Sequence, residues 1–168
     1  WLSESAAFAA GTAVRGGVPV CWPWFGAHQT PGYPSHGYAR NRVWPLVAAE
    51  LDEVGHHLFL RLPETEGPGF NGKTTLEMEL VVGSRLSIKL KTVNTGTAPF
   101  TLNCALHSYF LIEDINSAVL QGLTGKYSDK TRNWEIIETP APYCFTEETD
   151  RIHFWQGKQL NLANQNSK

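Results

Sequence analysis

The residues best suited to do chemistry lie between Arg15 and Arg42. Three aromatic side chains, Trp22, Trp24 and Phe25, fall within four positions and are interleaved with prolines and glycines. This composition favours a rigid loop over a regular strand. Such surfaces often bind sugars, because an aromatic face can cover the C–H face of a pyranose while nearby polar groups take its hydroxyls. The simpler interpretation is that these rings are core residues, which bury large areas.

Two arginines of the same region could bind an anion. Arg15 precedes a Gly-Gly pair, and Arg40 follows the sequence Gly-Tyr-Ala. A guanidinium offers a rigid fork of donors to a phosphate and stays charged at every relevant pH. Most arginines are solvated surface charges instead. Arg42 could add to the positive field, but it is interpreted as a surface residue.

Histidine supplies a group that can donate and recover a proton near neutral pH, because its unperturbed pKa is about 6.5. His107 could act in this way, although a single histidine on a strand is more often structural. The spacings of the histidines outside the motifs match no zinc signature, and an adjacent pair on a strand would point to opposite faces. We therefore predict no metal ligand among His28, His56, His57 and His153.

Four blocks of sequence carry a family resemblance. They are RGGVPVCWPWFG at 15–26, PSHGYARN at 34–41, ALHSYF at 105–110 and TDRI at 149–152. In this order and spacing they resemble the bacterial glucose-6-phosphate 1-epimerases, the phosphosugar branch of the aldose 1-epimerase, or galactose mutarotase-like, family. The resemblance extends over essentially the whole chain.

The resemblance implies an isomerase that interconverts the α and β anomers of a hexose 6-phosphate, with glucose 6-phosphate as the foremost substrate. Ring opening and reclosure need one general acid and one general base, with no redox change or group transfer. No cofactor is therefore expected. The histidine of the family's Leu-His-Ser-Tyr-Phe motif is the catalytic acid, which the resemblance places at His107.

The resemblance also implies five substrate-binding residues. Arg15 and Arg40 match positions that bind phosphate and hydroxyl groups, and His36 matches the histidine that binds near the ring oxygen. Ser35 matches a substrate-contacting position, although a plain turn residue is nearly as good an interpretation. Asp150 matches an aspartate that accepts hydrogen bonds from sugar hydroxyls, although an exposed turn with a weak local salt bridge is the alternative.

The family's general base is a glutamate near the C-terminus of its domain. We expect this chain to begin partway into that domain and to stop before its end. Four glutamates lie between positions 135 and 148, but none stands in a matching context: Glu135, Glu138, Glu147 and Glu148. The chain alone is therefore expected to lack most catalytic activity.

Alternating apolar and polar residues predict the elements that must position these side chains. Strands are expected at 43–51, 57–62, 75–80, 86–93, 100–109, 118–122 and 134–137. Many strands without an intervening helical pattern predict an all-β fold, an antiparallel β-sandwich of the mutarotase type, incomplete in this chain. We expect residues 1–168 to form one partial domain, with a polar tail at 161–168 that frays.

Composition excludes several partners. The net charge is −2, so neither a nucleic acid nor an anionic membrane is an expected partner. The uncharged stretch 16–34 contains Pro19, Pro23, Pro31 and several glycines, which would break a membrane-spanning helix. Three cysteines without a CxxC pair favour a reducing cytoplasm.

Two other functions stay open. An epimerase of unphosphorylated aldoses would share the fold and the histidine, and a carbohydrate-binding module without catalytic activity would keep the sugar pocket alone. Exposed sheet edges in an incomplete sandwich also leave self-association open.

Overall fold

The computed structural model describes residues 1–9, 12 and 14–164 of the chain. The chain divides into two compact units, Trp1–Tyr109 and Phe110–Lys168. Every pair of named strands in both units is antiparallel, which confirms the predicted all-β antiparallel class. One partial domain over residues 1–168 stays a prediction. In the part of the chain that the structure describes, no helix has the length and apolar character needed to cross a membrane.

The first unit is built around a four-stranded sheet with the order β2-β3-β4-β5. Its strands are β2 (Leu46–Leu51), β3 (Gly55–Arg61), β4 (Thr74–Gly83) and β5 (Leu86–Asn94). A second sheet pairs β1 (Val20–Cys21) with β6 (Ala105–Leu106). A single 3-10 turn at Ala39–Asn41 lies between β1 and β2.

Alternation along β4 and β5 separates the two faces of the large sheet as predicted. Leu76 is fully buried, and Met78 packs against the same core opposite Leu90 of β5. The intervening Glu77 pairs with Arg61 of β3 at 2.6 Å. One face therefore closes the core, and the other carries a ladder of opposite charges.

Two of the three motif tryptophans belong to this core. Trp22 has no exposed surface and Trp24 has 8%, so the sugar-surface interpretation is wrong for both. Their indole N–H groups bind internal oxygens, at 3.1 Å to Thr92 Oγ1 and 3.0 Å to the carbonyl of Pro34. Phe25 differs, because 39% of it is exposed.

Two prolines interrupt the pairing of β1 with β6. The register Cys21↔Ala105 places residues 17, 19 and 23 opposite residues 109, 107 and 103, at positions where hydrogen bonds between the segments are expected. The amides of Asn103, His107 and Tyr109 donate to the carbonyls of Pro23, Pro19 and Gly17. Proline has no N–H to return the bond, so the predicted strand at 100–109 is reduced to two regular residues inside a longer extended segment.

The second unit contains two three-stranded sheets, with the orders β10-β7-β12 and β11-β8-β9. The strands of the first sheet are β7 (Ala118–Gln121), β10 (Tyr143–Cys144) and β12 (Asn161–Asn164). Those of the second are β8 (Lys126–Asp129), β9 (Glu135–Glu138) and β11 (Arg151–His153). Because β12 pairs along β7, the predicted fraying is wrong for 161–164, and 165–168 lie outside the described residues.

A buried charge pair organises the second unit. Asp129 is fully buried and receives the Nε–H of Arg151 at 2.7 Å and the hydroxyl of Thr131 at 2.6 Å. The Thr131 hydroxyl and the Arg151 guanidinium lower the pKa of Asp129. Arg151 also donates to the hydroxyl of Tyr143 at 2.8 Å and to Glu147 at 2.9 Å. The guanidinium is therefore held on three sides by acceptors of its own unit.

Candidate active site

The first unit contains a cavity of about 640 Å³. Among the described residues that line it, the ionisable side chains are three arginines, two histidines and a tyrosine, with no aspartate or glutamate: Arg15, Arg40, Arg42, His36, His107 and Tyr109. Apolar residues from the start of the chain and from β1 make up much of the remaining wall. The cavity is therefore positively charged and combines donors with groups that can transfer protons.

His107 is positioned by the interrupted ladder described above. Its amide donates to the carbonyl of Pro19 at 3.0 Å, and the amide of Tyr109 donates to Gly17 at 3.0 Å. Side chains two residues apart in an extended segment share a face, and the two rings lie 5.0 Å apart. The His107 side chain is exposed and lines the cavity.

His36 lies in a tight loop that brings its imidazole to the same cavity. Its φ is 66°, in the left-handed region, and its amide donates to the carbonyl of Gly26 at 2.7 Å. The amide of Gly26 in turn donates to Nδ1 of His36 at 3.1 Å. The ring centroids of His36 and His107 are 6.4 Å apart, so the structure brings together two motif histidines that are distant in sequence.

The following Gly37 is required for this loop. A Cβ at that position would lie 2.1 Å from the carbonyl oxygen of Trp22, which is an impossible contact. The close approach lets the Trp22 carbonyl accept the amides of Tyr38 at 3.0 Å and Ala39 at 3.2 Å. The Ser-His-Gly-Tyr sequence is thus a local device that anchors His36 to the buried tryptophan.

Arg40 lies on the 3-10 turn behind His36. Its Nη2 donates to the carbonyl of Ser35 at 2.9 Å, while its Nε is buried without a hydrogen-bond partner within the described residues. Burial raises the pKa of the Cys21 thiol, and the nearby charge of Arg40 partly opposes that shift. Arg40 therefore combines one structural contact with a position on the cavity wall.

Arg15 and Ser35 occupy exposed loops. Arg15 lines the cavity, and its carbonyl accepts the amide of Ser3 at 2.8 Å. Ser35 is not among the lining residues, and its contact with the site is the backbone bond to Arg40. Their roles in substrate binding stay predictions.

Arg42, which was interpreted as a surface residue that could add to the positive field, lines the cavity, and so does Tyr109, which the motifs did not single out. Arg42 is partly buried. Its guanidinium lies 4.2 Å from the ring centroid of Tyr38 and donates to the carbonyls of Glu64 and Glu66. Tyr109 could have been found from the two-residue period that it shares with His107.

Asp150 belongs to the second unit, where it forms an exposed ion pair with Lys130. Asp150 Oδ2 and Lys130 Nζ are 2.5 Å apart, and both side chains are about half exposed. This geometry is that of the turn with a local salt bridge, and substrate binding by Asp150 stays a prediction. Glu147 of the same unit accepts bonds from Arg132 and Arg151. Within the described residues, no three histidine, cysteine or acidic side chains are grouped to hold a metal ion.

The fold and the cavity define a class: an antiparallel β protein with a positively charged cavity that also carries two imidazoles. A family model described as aldose 1-epimerase matches residues 1–158. The chain belongs to the aldose 1-epimerase family.

Several known proteins are similar to this chain. One is a Salmonella typhimurium protein named "Putative glucose-6-phosphate 1-epimerase", 37% identical over 91% of this chain and 52% of its own length. Its namesake from Escherichia coli is 36% identical with the same coverage. The crystal structure of a "putative mutarotase" from Salmonella typhimurium superposes with a TM-score of 0.87 at 34% identity, covering 98% of this chain and 55% of that one. The chain thus spans about half the length of the curated relatives it matches, and the predicted mutarotase-type fold is confirmed.

Proposed function

We propose that the protein interconverts the α and β anomers of a hexose 6-phosphate, with glucose 6-phosphate as the foremost substrate. The observation that carries this proposal is the charge of the cavity, where Arg15, Arg40 and Arg42 meet two imidazoles without a carboxylate among the described lining residues. A neutral aldose would leave this excess of cations unmatched, whereas a phosphate accepts several charge-assisted hydrogen bonds. The names of the relatives support the same substrate class.

The chemistry assigned to the site is a single proton exchange at each end of the C1–O5 bond. His107 gives a proton to the ring oxygen O5 as its bond to C1 breaks, while the C1 hydroxyl loses its proton to a base and becomes the aldehyde oxygen. Rotation about C1–C2 then presents the other face of the aldehyde, and the reverse transfers close the ring. A histidine suits the acid role because it exchanges a proton near neutral pH.

The general base of this reaction is not among the described residues that line the cavity. The family resemblance implies a glutamate, and the described lining residues include none. We expect the chain alone to exchange anomers about a hundredfold to ten-thousandfold more slowly than a complete relative, the usual worth of one acid-base group. Exchange NMR on the two anomeric protons measures this directly, and rates equal to a complete relative would contradict it.

Substrate binding tests the phosphate assignment independently of turnover. Arg15→Gln removes a charge from the cavity wall, and we expect it to weaken glucose 6-phosphate binding by about tenfold to a hundredfold, the worth of a hydrogen bond to a charged group. Affinity for glucose should not change. Isothermal titration calorimetry with both sugars measures the two effects in one protein.

Arg85→Gln is the matched control, because Arg85 lies on the exposed turn between β4 and β5 and loses the same charge. Equal losses for glucose and glucose 6-phosphate would favour an epimerase of unphosphorylated aldoses. Binding of both sugars with no anomer exchange in the full-length protein would favour the carbohydrate-binding module. A cytoplasmic location remains part of this proposal, since its substrate class is an intracellular phosphosugar.

A further inference from the structure

The two imidazoles of the cavity are held in different ways. His36 Nδ1 accepts the backbone N–H of Gly26 at 3.1 Å. A backbone amide always donates, so Nδ1 must be unprotonated for this bond to exist, and the proton of the neutral ring must then lie on Nε2. His107 is held by its backbone amide, and its ring lies 5.0 Å from that of Tyr109.

Phe25 contacts both rings. Its centroid lies 4.8 Å from that of His36, with an interplanar angle of 58°, and 6.4 Å from that of His107, nearly parallel at 27°. Phe25 directly precedes the Gly26 whose amide holds Nδ1. The phenyl ring of Phe25 therefore limits rotation of the His36 ring. It also keeps the adjacent Gly26 amide, the donor to Nδ1, in place.

We infer that Phe25 and the Gly26 amide are positioning groups that hold His36 as a neutral Nε2–H hydrogen-bond donor. While this bond holds, His36 cannot exchange a proton at Nδ1, and the proton transfer of the proposed reaction is assigned to His107. The consequence for His107 rests on the proposed function, whereas the state of His36 can be measured on the chain without any sugar.

The tautomer is read from two-bond ¹H–¹⁵N correlation spectra of the ¹⁵N-labelled chain at about pH 7.5, where an ordinary histidine is mostly neutral. We expect His36 to show one unprotonated Nδ1 and one protonated Nε2. His28 is the internal reference for a held ring, because its Nδ1 accepts the amide of Thr30 at 2.9 Å. The exposed His56 is the reference for a ring that averages its tautomers.

Phe25→Leu removes the ring and keeps an apolar side chain, and we expect the His36 nitrogen signals to move towards those of His56. The separate variant Phe25→Tyr keeps the ring and should show the wild-type His36 signals. Phe154→Leu makes the same change at an exposed phenylalanine of the second unit and should leave His36 unchanged.

Averaged tautomers for His36 in the wild-type chain would overturn the inference, as would unchanged signals in folded Phe25→Leu. Failure of the chain to bind glucose 6-phosphate would instead count against the proposed function. The two failures are distinguishable because the spectra are recorded without ligand.

Discussion

Arg40 of the first unit and Arg151 of the second are both partly buried arginines, yet their donors are used differently. Arg151 bonds to Asp129, Tyr143 and Glu147. Arg40 has one bond, to a backbone carbonyl, and a buried Nε without a partner within the described residues. The second unit thus uses its guanidinium for structure, whereas the first unit places its guanidinium on a cavity wall with one internal bond.

This difference separates stability from binding. A buried charge that has lost its partner is costly, while a donor without an internal partner is stabilised when a ligand oxygen arrives. Substitutions in the two units should therefore have opposite profiles, with loss of folding in one and loss of affinity in the other.

The largest effect should follow from Arg151→Met. The change leaves Asp129 buried without its cation, and breaking a buried pair from one side costs about 3 kcal/mol or more. We expect a lower urea midpoint in tryptophan fluorescence. Asp129→Asn combined with Arg151→Met removes both charges and should recover part of the loss, and a double variant no better than the single one would contradict the buried-pair explanation.

The second unit should also lose stability in mild acid. Burial, helped by the charge of Arg151, lowers the pKa of His153. The unfolded chain therefore takes up this proton below about pH 6.5 while the folded chain does not, so stability falls as the pH drops towards the lowered pKa. Urea midpoints between about pH 7.5 and 5.5 should decrease less steeply in His153→Phe than in wild type. Parallel slopes would rule out this histidine as the source.

The reciprocal change in the first unit, Arg40→Met, should alter folding little. It removes one bond to the Ser35 carbonyl together with an unpaired buried donor, so we expect a change within about 1 kcal/mol in the free energy of unfolding. Affinity for glucose 6-phosphate should nevertheless fall. A large destabilisation with intact affinity would reverse the comparison between the two arginines.

The smallest effect is expected on the charged face of the large sheet. Arg61→Met removes a pair with Glu77 in which the arginine side chain is 57% exposed, and exposed pairs contribute about 0.5 kcal/mol or less. The change in urea midpoint should be close to the error of the measurement. A loss comparable to that of Arg151→Met would show that exposure does not distinguish the two ion pairs.

The sheet of the first unit was predictable from sequence because apolar and polar residues alternate over long runs in its strands. The alternation of Leu76, Glu77 and Met78 shows which side chains face the core. The alternating runs at 75–80 and 86–93 lie within β4 and β5. The second unit was less predictable. Its strands are two to four residues long, and β8 and β11 carry polar and charged residues whose burial depends on partners elsewhere in the unit, as for Asp129.

The candidate site was predictable in its residue types and less so in its geometry. The motifs identified His36, His107, Arg15 and Arg40, which line one cavity. Composition could not tell that Trp22 and Trp24 are buried, because an aromatic-rich segment looks the same whether it faces a ligand or a core. The partners of Arg42 are backbone carbonyls. Every residue has a backbone carbonyl, so the sequence could not indicate these contacts.

Pro19 and Pro23 have a consequence for how the segment that carries His107 is held. The present alignment sets the carbonyls of residues 103 and 107 opposite nitrogens that carry no hydrogen, so each proline position forms one bond where two are usual. A slip of one residue between the segments 17–23 and 103–109 would turn His107 to the opposite face. The direction of the imidazole therefore depends on a thinned ladder, to which residues 103, 107 and 109 each donate a single bond.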